Sequence, residues 1–222
     1  MRAVIVANGE LKNPSEIQGF VDKSDIIIAA NGGTGHCLEA GIKPSVVIGD
    51  LDSITEDQKE ALESSQTKFI EYPIDKDKTD LELAINYAKE LGINEIFLLG
   101  LFGGRLDQTI ANLLLLSKNE WNNLQFTVLN GNEIAYLMLD HDSLTIDGEI
   151  GNVVSLIPLT QEVTEIHTDG LRWKLEGSLL MFGTTLGVSN EMINSLCNIR
   201  IGNGKLLVVH TRFHDFKVGS EE

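Results

Sequence analysis

The sequence predicts an α/β protein: an N-terminal open, mostly parallel sheet with helices on both faces, followed by a C-terminal all-β sandwich domain. Three observations carry this reading. Apolar runs and amphipathic stretches alternate over about the first 130 residues, the pattern of repeated βαβ units. Several of those runs are continuously apolar rather than alternating, as in strands covered on both faces. Beyond about residue 132 helical periodicity gives way to short β-like runs separated by turn residues. The predicted division is 1–131, an α/β domain, and 132–222, a β-sandwich.

In the first domain, strands are expected at 2–7, 25–30, 45–49, 68–72, 95–100 and 125–130. Capping-box spacing runs from Ser15 to Gln18, Ser53 to Glu56 and Thr79 to Glu82, and Gly41 and Gly92 stand where helix C-termini are expected. After Thr79, the residues Leu81, Ala84, Ile85, Ala88 and Leu91 form one apolar helical face. In the second domain, β runs are expected near 134–139, 143–147, 152–157, 162–167, 171–175, 178–182, 197–201 and 205–211. Gly202-Asn203-Gly204, between two apolar runs, predicts a hairpin. The tail, 219–222, is expected to be disordered.

Composition narrows the function. The 222 residues are 42% hydrophobic and carry a formal net charge of −16, which argues against a nucleic-acid or anionic-membrane partner. No apolar run approaches a membrane span. The start, Met1 to Val6, is too short and too soon polar for a signal peptide and reads as a strand. Cys37 and Cys197 lie far apart without metal-ligand spacing, as expected of reduced, buried thiols in a cytoplasmic protein. His36, His141, His167, His210 and His214 have no metal-site spacing and are expected to be structural.

Three acid-rich segments stand out: Gly49-Asp50-Leu51-Asp52-Ser53, Asp75-Lys76-Asp77-Lys78-Thr79-Asp80 and Gly103-Gly104-Arg105-Leu106-Asp107-Gln108. Each follows an expected strand and precedes an expected helix. They therefore fall at the carboxyl edge of the sheet, where open α/β proteins bind ligands, together with Gly32-Gly33. Taken singly, each segment could be ordinary turn and cap chemistry. Jointly, they have the composition of a Mg²⁺–polyphosphate site. Mg²⁺ favours carboxylate oxygens completed by water and phosphate. Asp50 and Asp52, two apart in an extended turn, can face one side, and Asp80 is a possible third ligand. Lys76, Lys78 and Arg105 offset the negative charge a polyanion would meet. No P-loop is present, and Leu38 stands where the dinucleotide fingerprint needs its last glycine.

The three segments, the last extended through Thr109-Ile110-Ala111-Asn112, closely resemble the signature segments of the thiamin pyrophosphokinase family. Gly170-Leu171-Arg172-Trp173-Lys174-Leu175, Phe182-Gly183-Thr184 and Ser189-Asn190 look like that family's thiamin-side segments. The resemblance covers nearly the whole chain, in order. It implies transfer of the diphosphate of ATP to the hydroxyl of thiamin, giving AMP, with Mg²⁺. By resemblance, Asp50, Asp52 and Asp80 hold the metal and triphosphate. Lys76, Asp77 and Thr79 shape the phosphate loop, and Gly32, Gly33, Gly49, Gly103, Gly104 and Arg105 border the nucleotide. Asp107 and Gln108 lie at the junction with thiamin. Asp80, Asp107 and Arg105 are the catalytic candidates, with Asp80 and Asp107 equal as proton acceptor.

The resemblance also implies a homodimer whose thiamin pocket lies at the subunit interface, with Trp173, Ser189 and Asn190 touching thiamin across it. Trp173 packed in the sandwich core is the alternative. Two other functional readings stand beside this one: a pyrophosphokinase for another hydroxymethyl substrate such as a reduced pterin, and a non-catalytic thiamin- or nucleotide-binding module. The sequence departs from the family pattern at Asn31, where Asp commonly precedes the Gly-Gly pair, at Gly35, where Asn is frequent, and at Gly187-Val188, where hydroxyl residues are usual.

Overall fold

A computed structural model describes residues 1–213 apart from Lys12, Ser24 and Ser64. The expected disordered tail and His214 lie outside the described residues. The chain divides into two compact units. Of the described residues, one comprises Met1–Leu115 and Asn123–Gly131; the other comprises Leu116–Asn122 and 132–213.

The first unit is built on six strands: β1 (Arg2–Val6), β2 (Ile26–Ala30), β3 (Val46–Gly49), β4 (Lys68–Glu71), β5 (Glu95–Leu99) and β6 (Gln125–Asn130). All are parallel, in the order β6-β5-β1-β2-β3-β4. Ala3, Val4, Ile5 and Val6 in β1 and Ile28 and Ala29 in β2 are fully buried, which is why these strands read as unbroken apolar runs. The helices are α1 (Glu16–Phe20), α2 (Gly33–Glu39), α3 (Glu56–Glu63), α4 (Asp80–Glu90) and α5 (Leu106–Leu115).

The chain steps outward from β1 to β4, then returns to the far side of β1 for β5 and β6. Right-handed crossovers then put α1, α2 and α3 on one face and α4 and α5 on the other. In keeping with this, α4 lies against β1, β2 and β3. The reversal of direction leaves a crevice between the carboxyl ends of β1 and β5.

Local signals met different fates. Thr79 caps α4 through its hydroxyl, which accepts from the Glu82 amide at 3.2 Å. Gly41 and Gly92 end α2 and α4 at φ +70° and +76°, where a β-carbon is strained. Ser15 does not cap α1; its hydroxyl donates to Asn13 Oδ1 instead. The capping box expected at Ser53 sits two residues later, where Gln58 N donates to Thr55 Oγ1 and Thr55 N to Gln58 Oε1.

The second unit holds β7 (Glu133–Met138), β8 (Ser143–Asp147), β9 (Val153–Pro158), β10 (Glu162–Asp169), β11 (Ser178–Met181), β12 (Asn190–Glu191), β13 (Leu196–Arg200) and β14 (Leu206–Thr211). Two antiparallel layers, β12-β9-β14-β7 and β11-β10-β13-β8, face one core. That core mixes Val154, Leu156 and Val208 from the first layer with Ile166, Leu180 and Ile199 from the second.

The expected hairpin at Gly202–Gly204 does not form. β13 pairs with β8 and β10, while β14 pairs with β7 and β9, so the chain changes layers there. The turn amides are taken by other segments, Gly202 N by Thr164 O and Gly204 N by Asp140 Oδ1. The run at 171–175 is not a strand either; Leu171 makes a single bridge to Met192.

Candidate active site

The carboxyl edge of the first unit's sheet opens into a cavity of about 480 Å³. Ala7, Asn8 and Gly9 enter it from the end of β1, Ala30 and Asn31 from β2, and Gly100, Leu101, Gly103, Gly104 and Arg105 from β5. The α4 approach supplies Ile74, Lys76, Lys78, Thr79, Asp80 and Leu81, and α5 supplies Gln108 and Asn112.

The electrostatic centre is a lysine held between carboxylates. Lys76 Nζ donates to Asp50 Oδ2 at 2.9 Å, and both side chains are only 13% exposed. The same ammonium stands 3.1 Å from Asp80 Oδ1. That approach pairs the charges without hydrogen-bond geometry, so the buried Asp80 oxygen has no hydrogen-bond partner. Burial pulls the Lys76 pKa down, but the hydrogen bond to Asp50 and the nearby Asp80 charge outweigh it and the net shift is upward. The Lys76 hydrogen bond holds the Asp50 carboxyl below its ordinary range.

Asn31 organises the other side. Its Nδ2 donates to Asp50 Oδ1 at 2.8 Å and to Asp52 Oδ1 at 2.9 Å. An ionised aspartate at this place could not donate to either. Leu51 brings the two carboxylates to one amide by taking φ +61°, so the pair converges through a left-handed residue and not through the extended turn expected. Strain of that kind costs about 1–3 kcal/mol. A β-carbon on Gly49 would meet Asn31 Cγ and Asp80 Cγ, both at 3.2 Å, which crowds these two side chains around one backbone position.

Asp50, Asp52 and Asp80 are thus joined through Lys76 and Asn31. Among the described residues, no three His, Cys, Asp or Glu side chains cluster tightly enough to hold a metal by themselves. The donor set nevertheless suits a hard cation. It is all oxygen, and it leaves two buried acceptors unsatisfied, Asp80 Oδ1 and Asn31 Oδ1.

The remaining candidates occupy distinct places. Gly103 and Gly104 take φ +89° and +67°, and the Gly104 amide donates to Glu10 Oε1 at 3.2 Å. Arg105 and Asp107 form an exposed ion pair, which holds the Asp107 carboxyl below its ordinary range. Asp77 is exposed and does not line the cavity. Gly32 and Gly33 have packing reasons to be glycine. A β-carbon on Gly33 would lie 2.0 Å from Val6 O, and one on Gly32 2.2 Å from Asn8 Oδ1. Sequence reasoning passed over Asn8, Gly9 and Glu10, although an Asn-Gly pair directly after the first apolar run was the available signal. It counted Asn112 in the third signature segment but gave it no role; the buried Nδ2 donates to Leu101 O and pins the β5 loop.

In the second unit, Trp173 is 57% exposed and is not a core residue. Ser189 is exposed at φ +60°. Asn190 is buried, with its carboxamide bonded to the Trp173 backbone. Cys37 and Cys197 are buried free thiols, each pushed up to about 12 by burial. His36 Nε2 bonds Gly9 O, and the buried His210 bonds Asn152. No helix among the described residues is long and apolar enough to cross a membrane.

Comparison with known proteins gives a consistent result. Residues 17–128 match the family described as "Thiamin pyrophosphokinase, catalytic domain", and residues 143–206 match "Thiamin pyrophosphokinase, vitamin B1 binding domain". A thiamine pyrophosphokinase of Bacillus subtilis is 29% identical over 207 residues, covering 93% of this chain and 97% of its own. The crystal structure of thiamine pyrophosphokinase from Bacillus subtilis superposes with a TM-score of 0.83 at 27% identity, over 96% of this chain and 100% of the other. That of a thiamin pyrophosphokinase from Geobacillus thermodenitrificans gives 0.79 at 27% identity, over 95% and 97%.

Proposed function

Because this chain belongs to the thiamin pyrophosphokinase family, we propose that it transfers the diphosphate of ATP to the hydroxyl of thiamin, giving thiamin diphosphate and AMP. The observation that carries this reading is the cavity at the β1/β5 crevice, where Lys76 is braced by Asp50 and Asp80 beside the Gly103-Gly104-Arg105 turn.

Transfer of this kind depends mainly on alignment and charge neutralisation. In the proposed complex Asp50, Asp52 and Asp80 hold Mg²⁺, and Asn31 Oδ1 is a further oxygen donor. A bound Mg²⁺ would neutralise phosphate charge and polarise the phosphorus under attack. Lys76 turns its ammonium toward the polyphosphate, a move its three bond-forming protons allow. Thr79, as the α4 cap, fixes the turn that carries Lys76 and Asp80. The positive-φ turn at Gly103 and Gly104 lets a phosphate reach backbone amides once it displaces the Glu10 carboxylate from Gly104 N. Asp107, kept ionised by Arg105, orients the thiamin hydroxyl, with Gln108 beside it. Trp173 offers an indole face to the acceptor.

We further propose that the active form is a homodimer in the cytoplasm. The second unit exposes Leu179, Met181, Phe182, Leu186 and Val188, apolar surface suited to a second copy.

The test is direct. The protein is incubated with Mg-ATP and either thiamin or a reduced hydroxymethyl-pterin, and AMP is followed. AMP formation with the pterin but not thiamin overturns the proposed acceptor; no AMP with any acceptor favours a binding module.

A further inference from the structure

In the second unit, the exposed indole of Trp173 rests on an unusual support. Its backbone lies beside β12 but is held by a side chain. Asn190 Oδ1 accepts from Trp173 N at 3.0 Å, and Asn190 Nδ2 donates to Trp173 O at 2.7 Å. The same oxygen accepts from Glu191 N at 2.9 Å. Asn190 is 3% exposed and both ends of its carboxamide are bonded to backbone, which leaves little of it to meet a ligand. Only asparagine supplies an acceptor and a donor at this reach. Aspartate lacks the donor, and glutamine is one methylene longer.

The ring itself is covered on one side. Arg172 Cζ lies 5.2 Å from the indole centroid. Its Nη1 is tied to Glu191 Oε2 at 3.1 Å, and its backbone amide to Glu191 O at 2.8 Å. β12 therefore anchors the backbone of Trp173 through Asn190 and the guanidinium beside its ring through Glu191.

We infer that Asn190 is a positioning residue for the acceptor. It sets Trp173 as a one-sided platform, with Arg172 against one indole face and the other face free for a flat heteroaromatic ring. This rests on the proposed function, in which Trp173 meets thiamin, and replaces direct contact of Asn190 with thiamin by action through the indole. Losing one or two neutral hydrogen bonds that fix the platform raises the thiamin KM about tenfold.

Steady-state kinetics on Asn190→Ala, Glu191→Gln and Trp173→Ala, with acrylamide quenching of tryptophan emission, test this. Trp121 is 1% exposed, so the quenchable emission reports Trp173. For Asn190→Ala the thiamin KM rises about tenfold, while the ATP KM and kcat stay within about threefold. A merely structural role would lower the active fraction and leave both KM values unchanged; that result overturns the inference. If Asn190→Ala does not fold, Glu191→Gln decides. Removing the carboxylate charge weakens the hold on the Arg172 guanidinium and partly uncovers the second face, and acrylamide quenching rises about twofold; unchanged quenching overturns the one-sided platform. If Trp173→Ala leaves the thiamin KM unaltered, the assignment of Trp173 to the acceptor fails. If Trp173→Ala raises it and Asn190→Ala does not, only the positioning role fails.

Discussion

Replacing Lys76 with methionine isolates the contribution of the charge at the centre of the cavity. Methionine keeps most of the aliphatic stem and removes the ammonium. Asp50 then loses its partner at 2.9 Å and Asp80 loses its neighbour at 3.1 Å, so two carboxylates face each other with little compensation. Removing one member of a fully buried ion pair costs about 3–5 kcal/mol. Asp50 keeps 13% of its surface exposed and Asp80 23%, and this partial solvation reduces the expected loss to about 2 kcal/mol.

Urea unfolding at pH 7 without divalent metal reads this loss. The sign with pH follows from Asp50. Its folded-state pKa lies below its unfolded value in the parent protein, so its contribution is full above the ordinary carboxylate range and is lost as pH falls below that range, through the depressed folded-state value. The gap between Lys76→Met and the parent therefore holds down to about pH 4 and narrows below it. If the carboxylates hold Mg²⁺ once the lysine is gone, about 10 mM of it restores about 1.4 kcal/mol for a dissociation constant on the order of 1 mM. Stability equal to the parent at pH 7, or indifference of the variant to Mg²⁺, refutes the reasoning.

Further outcomes follow from other contacts. Asp52→Ala, an exposed position, leaves urea stability within about 0.5 kcal/mol and lowers kcat at least about 100-fold in the AMP assay if Asp52 holds the metal. Gly33→Ala places a methyl group 2.0 Å from Val6 O and lowers the melting temperature, with a loss of about 3 kcal/mol. Asp25 is bonded to Arg2 and has a depressed pKa. Its stabilisation is present above the ordinary carboxylate range and lost as pH falls below it, through the depressed folded-state value, so Asp25→Asn flattens the acid limb of stability against pH. Asn31→Asp removes the amide that donates to Asp50 and Asp52; it destabilises the metal-free protein by about 1–3 kcal/mol, a loss that Mg²⁺ reduces, as measured by urea unfolding.

The α/β half and the place of its crevice were legible because the signals are local and repeated. Unbroken apolar runs mark the buried strands, and acid-glycine segments follow them at one edge. The bridging of Asp50 and Asp80 by Lys76 was not legible, since it depends on how the α4 approach folds over β3. The same holds for Asn190: nothing local distinguishes a carboxamide that meets a ligand from one that clamps a neighbouring backbone. Gly202-Asn203-Gly204 misled because a tight turn looks alike whether the chain folds back in one sheet or passes to the other. Thr55 displaced Ser53 as a cap because both sit three residues before a Glu or Gln, and only packing chooses between them.

The turns after β1 and β5 touch backbone to backbone. Ala7 N bonds Leu99 O at 2.8 Å, Gly9 N bonds Gly100 O at 2.7 Å and Glu10 N bonds Phe102 O at 2.6 Å. A β-carbon on Gly9 would come within 2.4 Å of Gly100 O, and one on Gly100 within 2.4 Å of Ala7 O. Anyone reshaping the proposed nucleotide site of this scaffold must therefore transplant residues 7–10 and 99–104 as one block. Swapping either stretch alone would bring in a mismatched partner, and the damage would show as loss of folding before any change in selectivity could be measured.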